Sequence, residues 1–256
     1  MDAGLPISTD RAIFVADAHL NRDDDDTLAF VALAERAASE GATLFLLGDM
    51  FDLWFGAPGL VFGFQAPVIA RLRELRREGL RLYYAEGNRD FYLKKAHAGT
   101  TFDAVSEGAM RAAVGPFRVH ISHGDEVNRA DLFYRFWKGL SKNAVAYRLL
   151  CLIPAPVALP LTVRMERTLR QTNLRFKGDF PEQDCRNYAA RLFDAGIDFV
   201  ILGHFHREFL VRSAEGTPGR TLAILPSWRE ARRHFYLTAA GDFGFRSYRP
   251  GEPLIP

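Results

Sequence analysis

Side chains that could bind a metal cluster in five short motifs: Asp17 and His19 in DAH, Asp49 and Asp52 in GDMFD, Asn88 in GNRD, His123 in HGD, and His204 with His206 in GHFH. Imidazole suits transition metals, while carboxylate and amide oxygens are hard donors, so the mixture fits divalent cations and needs no cysteine. If one carboxylate bridges, two cations about 3.5 to 4 Å apart can hold a hydroxide and clamp a phosphoryl group for in-line attack. That chemistry is phosphoester hydrolysis. A single histidine after a strand is more often structural, so the weight rests on five motifs in series.

Those motifs must be carried to one place, and the chain offers a way. Five apolar runs precede them: residues 12–17, 43–49, 80–88, 117–125 and 198–204, rich in Val, Ile, Leu, Phe and Tyr and bounded by Gly, Asp and Asn. They read as buried strands. Helical patterns lie between several of them: 27–40 stopped by Gly41, a second marked by Val68, Leu72 and Leu75 and stopped by Gly79, and a third from Pro181 to before Gly196. Strands alternating with helices predict an α/β fold, whose loops at the carboxyl ends of strands converge on one crevice. The last fifty or so residues hold four strand-like runs, at 207–213, 221–227, 234–239 and 243–248, and predict an antiparallel meander closing the fold. The aspartate run 23–26 reads as a solvated loop.

Composition sets the remaining bounds. The chain has 256 residues, 48% of them hydrophobic, which is enough for a sizeable core and argues against disorder. Its 33 basic and 31 acidic residues leave a net charge of only +2, so bulk electrostatics does not announce a nucleic-acid partner, and none is expected. Two cysteines, Cys151 and Cys185, cannot make a disulfide framework, which suits a reducing compartment. The first ten residues, MDAGLPISTD, carry no basic stretch followed by an apolar one, so no secretory signal is expected there. The fifteen uncharged residues between Arg148 and Arg164 are too short and too rich in proline for a bilayer crossing.

Taken in order, DAH, GDMFD, GNRD, HGD and GHFH resemble the pattern of the calcineurin-like metallophosphoesterases, and the resemblance spans about residues 12–206. It implies a four-layer α-β-β-α sandwich of two mixed sheets, in one domain over 1–256. By matching positions, Asp17, His19, Asp49 and His206 would hold one metal and Asp49, Asn88, His123 and His204 the other, with Asp49 as the bridge. Manganese is the expected ion, and Asp52 and Asp90 would orient ligands or loops. Most members of the family have His after the Asn; here Arg89 stands in that place. Arginine cannot act as a general acid near neutral pH, and can only hold and neutralise phosphate oxygens. It therefore favours a leaving group that needs no proton, such as the phosphate released from a diphosphate, whose second pKa is about 6.

GNRDF, together with a basic and apolar insertion over 129–177, resembles the UDP-2,3-diacylglucosamine pyrophosphatase branch, which releases UMP and a lipid A precursor. That insertion holds ten basic and two acidic residues, a local charge of +8, with Phe133, Tyr134, Phe136, Trp137 and Tyr147 interspersed. It reads as two helices, about 130–151 and 161–176. The resemblance implies a helical lid that receives acyl chains, with Asp131, Asn173 and Lys177 joining Arg89 in substrate binding. Asp49, Asn88, Arg89 and His123 would form the catalytic set. Cations for a head group and apolar surface for tails are what a lipid-linked diphosphate requires, and the same pair could rest on an anionic inner leaflet. A cytoplasmic protein attached peripherally to the inner membrane is expected, with no obligate protein partner. The competing readings are a hydrolase of the same fold acting on nucleic acid or a soluble nucleotide, and a scaffold that has lost the chemistry.

Overall fold

The computed structural model describes residues 7–57, 60–127, 180–212 and 219–256. The expected lid over 129–177, with Asp131, Asn173, Lys177 and Cys151, lies outside the described residues.

Two six-stranded mixed sheets face each other. The first has the order β1 (Ile7–Thr9), β8 (Met110–Val114), β9 (Phe117–Ser122), β10 (Phe199–Leu202), β12 (Thr221–Ile224) and β11 (Phe209–Arg212). The second runs β14 (Phe243–Ser247), β13 (Arg233–Thr238), β2 (Arg11–Val15), β3 (Thr43–Leu46), β5 (Leu82–Ala85) and β7 (Ala104–Ser106). Helices α1 (Asp25–Ser39) and α2 (Gln65–Arg77) cover the second sheet, and α4 (Glu182–Asp194) covers the first. A two-stranded pair, β4 (Trp54–Phe55) and β6 (Asp90–Phe91), and the short helices α3 (Leu93–His97) and α5 (Trp228–Ala231) complete the described elements. The layers are α-β-β-α, as expected.

Strands β2, β3 and β5 pair in parallel and are buried on both faces, which is why they read as continuous apolar runs. Alternate residues divide the duty. Phe14, Phe45 and Tyr83 point between the sheets, where Phe14 stacks on Phe45 at 5.1 Å and Phe45 on Tyr83 at 5.3 Å. Ile13, Val15, Leu44 and Leu46 point the other way, onto Phe30 and Leu33 of α1 and Val68 and Leu72 of α2. Each such side chain contributes roughly 1.5–3 kcal/mol by leaving water.

Two expectations are corrected. The C-terminal strands do not form one meander: β11 and β12 complete the first sheet, with β12 parallel to β10, whereas β13 and β14 join the second through β2. A four-residue helix, α5, carries the chain across, and its buried Trp228 wedges against Phe30 and Tyr248. The aspartate run is also not a free loop. Asp24 caps α1 by accepting the Thr27 N–H at 3.1 Å, and Asp25 and Asp26 sit in the first turn, where negative charge is favoured.

Three histidines outside the motifs are buried in the body. His97 faces Thr101 Oγ1 at 3.0 Å, His120 faces the Tyr188 hydroxyl at 3.0 Å, and His234 donates to the Leu254 carbonyl at 2.8 Å. Burial pushes each down to about 4. An unfolded histidine takes up a proton near 6.5, so between pH 6.5 and 4 the unfolded chain binds protons that the native state refuses. Stability should therefore fall as pH drops through that window, by about 1–2 kcal/mol per histidine at pH 5. Urea midpoints at pH 7.5 and 5, with chelator present, measure this, and His234→Gln should flatten the decline.

Candidate metal centre

Each motif begins where a strand ends. Asp17 and His19 follow β2, Asp49 and Asp52 follow β3, Asn88 and Arg89 follow β5, His123 follows β9, and His204 and His206 follow β10. Because β2, β3 and β5 run parallel in one sheet and β9 and β10 in the other, all five loops emerge at one end of the sandwich. The seven expected ligands are brought together there.

They form two touching groups. In one, Asp17 Oδ1 lies 3.3 Å from His206 Nε2 and 3.8 Å from His19 Nε2, and the two imidazole Nε2 atoms are 3.2 Å apart. In the other, Asn88 Oδ1 faces His123 Nε2 at 2.9 Å and His204 Nδ1 at 3.1 Å, and Asp49 Oδ2 lies 3.8 Å from His123 Nε2. Asp17, Asp49 and His123 also place ligand atoms within 4.8 Å of one another, which joins the groups.

This arrangement is poorly satisfied by protein atoms alone. Asp17 Oδ1 and His19 Nδ1 are buried without a hydrogen bond, although such atoms nearly always have one. The His123 Nδ1 atom lies 2.8 Å from the Leu47 carbonyl and serves as its donor, which turns Nε2 toward Asn88 Oδ1 and His204 Nδ1, two further electron-rich atoms. Converging lone pairs of this kind are the donor set of a cation, and the residues present fit a divalent metal.

The titration behaviour has the same origin. Burial pushes His123 down, but Asp49 and Asp17 outweigh it and raise it to about 9. His206 is likewise raised, the neighbouring Asp17 overcoming burial. Burial would raise Asp17, but His206, His123 and His19 hold it well below the usual carboxylate range. His19 falls to about 4 through burial despite Asp49 and Asp17, and His204 falls to about 4 through burial and the charge of His123. The pocket favours positive charge, and in part satisfies itself with protons.

Backbone strain is concentrated at the same place. Seven described residues other than glycine have left-handed φ, and five of them are Asp17, His19, Asp49, His204 and His206. Such conformations cost about 1–3 kcal/mol each and persist only where surroundings enforce them. The enforcing contacts are specific. Asp49 N–H donates to Asp90 Oδ2 at 3.0 Å, and Asp90 Oδ2 also accepts from Gly87 N–H and the Tyr84 hydroxyl. The Arg89 N–H donates to Asp49 Oδ1 at 2.9 Å, and the His204 N–H to Asp17 Oδ2 at 2.8 Å. Glycine is required at 48 and 87, because a Cβ at either would overlap its neighbours, the Gly87 backbone and His123 in one case and the Asp49 carboxylate in the other.

Arg89 is buried at the rim, its Nε 3.6 Å from Asp49 Oδ2 and its Nη1 3.6 Å from Asp52 Oδ1. Asp52 also accepts from Asn21 Nδ2 at 2.7 Å and faces His19 Nδ1 at 3.4 Å. Asp90 and Asp52, the two aspartates expected to orient the site, contact its residues directly, Asp90 at the Asp49 N–H and Asp52 at the His19 ring. The motifs did not reveal Tyr84, or Glu86, which accepts the Leu93 and Lys94 N–H groups and pins the start of α3 behind the GNRD loop. Neither has a sequence signal, since one reads as a strand apolar residue and the other as a loop charge.

No protein-family model matches the chain. A curated UDP-2,3-diacylglucosamine hydrolase of Chromohalobacter salexigens is 26% identical over 222 residues, 86% of this chain and 89% of the relative. One of Haemophilus influenzae is 23% identical over 238 residues, covering 91% and 97%. Among solved structures, an archaeal phosphodiesterase is similar with a TM-score of 0.50 and 12% identity, covering 93% of this chain and 99% of that one. The vacuolar protein sorting 29 structure of Cryptosporidium parvum is similar with a TM-score of 0.50 and 11% identity, covering 95% and 93%. The chain has the metallophosphoesterase fold, and its sequence resemblance to the UDP-2,3-diacylglucosamine hydrolases runs over most of both chains.

Proposed function

We propose that the protein is a metal-dependent hydrolase that cleaves the pyrophosphate bond of UDP-2,3-diacylglucosamine, releasing 2,3-diacylglucosamine 1-phosphate and UMP. The observation that carries this reading is the convergence of Asp17, His19, Asp49, Asn88, His123, His204 and His206 at one end of the sandwich, with Arg89 beside them. The similarity to relatives bearing that name, over most of both chains, supports the substrate.

Two divalent cations, manganese being the expected one, would be held by Asp17, His19, Asp49 and His206 and by Asp49, Asn88, His123 and His204. When bound they supply Lewis acidity toward phosphoryl oxygens and lower the pKa of water at the site. The chain's own part is to place and neutralise. Asp49 stands between the groups and is held by the Asp90 and Arg89 backbone contacts, so its two oxygens have set directions. Arg89 offers a charge that cannot be lost, and a planar fork suited to phosphate oxygens. It offers no proton, which a departing phosphate does not need.

The insertion over 129–177 is read as a lid over the site, with Asp131, Asn173 and Lys177 as substrate contacts. Its +8 charge and its aromatic and apolar residues support a lipid-linked diphosphate, and support peripheral attachment to an anionic leaflet. Among the described residues no helix is long and apolar enough to cross a membrane.

Three measurements decide these points. Incubation with UDP-2,3-diacylglucosamine and Mn2+ should yield UMP and the lipid 1-phosphate; UDP as product, or faster cleavage of single-stranded DNA, would overturn the assignment. Asp49→Ala should abolish turnover and lose bound metal by elemental analysis, whereas Arg89→Ala should keep its metal and lose about 10²- to 10³-fold in kcat, as removal of one charge-stabilising donor does. Wild-type rates in either variant would remove its role. The full chain should sediment with vesicles containing anionic lipid at low salt and be released at high salt, and indifference to anionic lipid would count against membrane attachment.

A further inference from the structure

The DAH loop is held from behind by a segment outside all five motifs. Where the chain crosses from β12 to β13, three consecutive residues take carbonyls of that loop. Ser227 Oγ donates to the Asp17 carbonyl at 2.9 Å, the Trp228 N–H to the Ala16 carbonyl at 3.1 Å, and Arg229 Nη1 to the His19 carbonyl at 3.5 Å. The clasp is itself anchored. Trp228 is fully buried, with its ring edge-on to Phe30 at 6.3 Å and its Nε1 donating to the Asp26 carbonyl at 3.4 Å. Arg229 Nη2 donates to Asp24 Oδ2 at 2.8 Å, and the Arg232 guanidinium reaches Asp26 Oδ1 at 2.7 Å.

The clasp grips the part of the loop that is strained. Asp17 and His19 have φ of 52° and 44°, in the left-handed region that side chains larger than glycine rarely occupy. The Asp17 and His19 N–H groups donate to the Gly48 and Asp49 carbonyls, so the clasp fixes the opposite side of the turn, and without it both residues would be freer to relax toward negative φ. That rotation would swing the Asp17 carboxylate and the His19 ring away from His206.

We propose that Ser227 and Arg229 are positioning residues for one half of the metal centre, holding the Asp17 to His19 turn in the conformation that makes it a ligand set. The inference rests on the metal-centre reading above. It assigns the two residues no contact with substrate or cation. Their effect should fall mainly on that half, because Asp49 is held by Asp90 and His123 by the Leu47 carbonyl.

The test uses the full chain and Mn2+ alone, titrated against a competing chelator, with the thermal midpoint of the metal-free protein measured beside it. Ser227→Ala should weaken one of two Mn2+ equivalents by about 10-fold, in the range seen when partners behind a ligand are removed, and leave the other equivalent as in wild type. Ser227→Thr, which keeps the hydroxyl, should restore it. Arg229→Met, at a half-buried position, should act in the same direction and decides the matter if Ser227→Ala does not fold. Unchanged Mn2+ affinity in the variants, or equal weakening of both equivalents, would overturn the proposal while leaving the metal centre intact. Wild-type protein that binds no Mn2+ would instead overturn the metal-centre reading, and the clasp with it.

Discussion

The structure depends on an electrostatic constraint: two aspartates and four histidines share a buried space with too few hydrogen atoms among them. Asp17 and Asp49 are almost wholly inaccessible, and burial alone would push a carboxyl toward its neutral form. The surrounding imidazoles prevent this for Asp17, and the carboxylates return the effect by raising His123 and His206. A cluster built for stability alone would bury no polar atom without a hydrogen bond, yet Asp17 Oδ1 and His19 Nδ1 have only longer ionic neighbours. Left-handed backbone at five of the same residues adds a second cost at the same point. Both costs are offset by the apolar layers beneath, and a cation taking the lone pairs would relieve the first.

How far this was legible in the sequence depends on whether local composition or tertiary contact decides. Four of the five strands before the motifs, β2 beyond Arg11, β3, β5 and β10, are buried on both faces, so their residues form unbroken apolar runs that declare themselves. The motifs could be read because chemistry restricts their residue types. Strand partners at the C terminus could not, since β11 to β14 have similar composition and the turn of the chain into the other sheet rests on tertiary contacts, among them those of the buried Trp228. Asp23 to Asp26 read as solvent loop because charge is ordinarily exposed, whereas Arg229 and Arg232, some two hundred positions away, bind Asp24 and Asp26. Tyr84 was hidden for a similar reason. Inside an apolar strand it reads as core, and its hydroxyl matters only because Asp90 folds back onto it.

Arg89 shows how one residue can narrow a reaction class on physical grounds. A guanidinium stays charged at any pH the protein survives, so a mechanism that needs a proton for its leaving group cannot draw it from this position. Its Nε and Nη1 atoms lie 3.6 Å from Asp49 and Asp52, a long separation for an ion pair, and its Nη1 donates to the Asp52 carbonyl at 3.3 Å. These contacts hold a permanent positive charge at the edge of the centre rather than inside it. An anionic group that enters finds positive charge already oriented, which is cheaper than reorganising solvent around it.

The distribution of ligands between the sheets gives the centre a role in the fold itself. Asp17, His19, Asp49 and Asn88 follow strands of the second sheet, and His123, His204 and His206 follow strands of the first. Each group therefore draws on both: His206 faces Asp17 and His19, while His123 and His204 face Asn88. Between the sheets lie Phe14, Phe45, Phe199 and Phe235, whose attraction is strong but not directional. Apolar contact alone tolerates small sliding of one sheet over the other, and a slide of 1 Å would separate ligands that must meet within about 0.2 Å of set distances. The directional bonds that cross the gap, His204 N–H to Asp17 and Ser227 hydroxyl to the Asp17 carbonyl, remove that freedom. A cation held between the groups would remove it further, and because it binds only the native arrangement it would stabilise the whole sandwich in proportion to its own affinity.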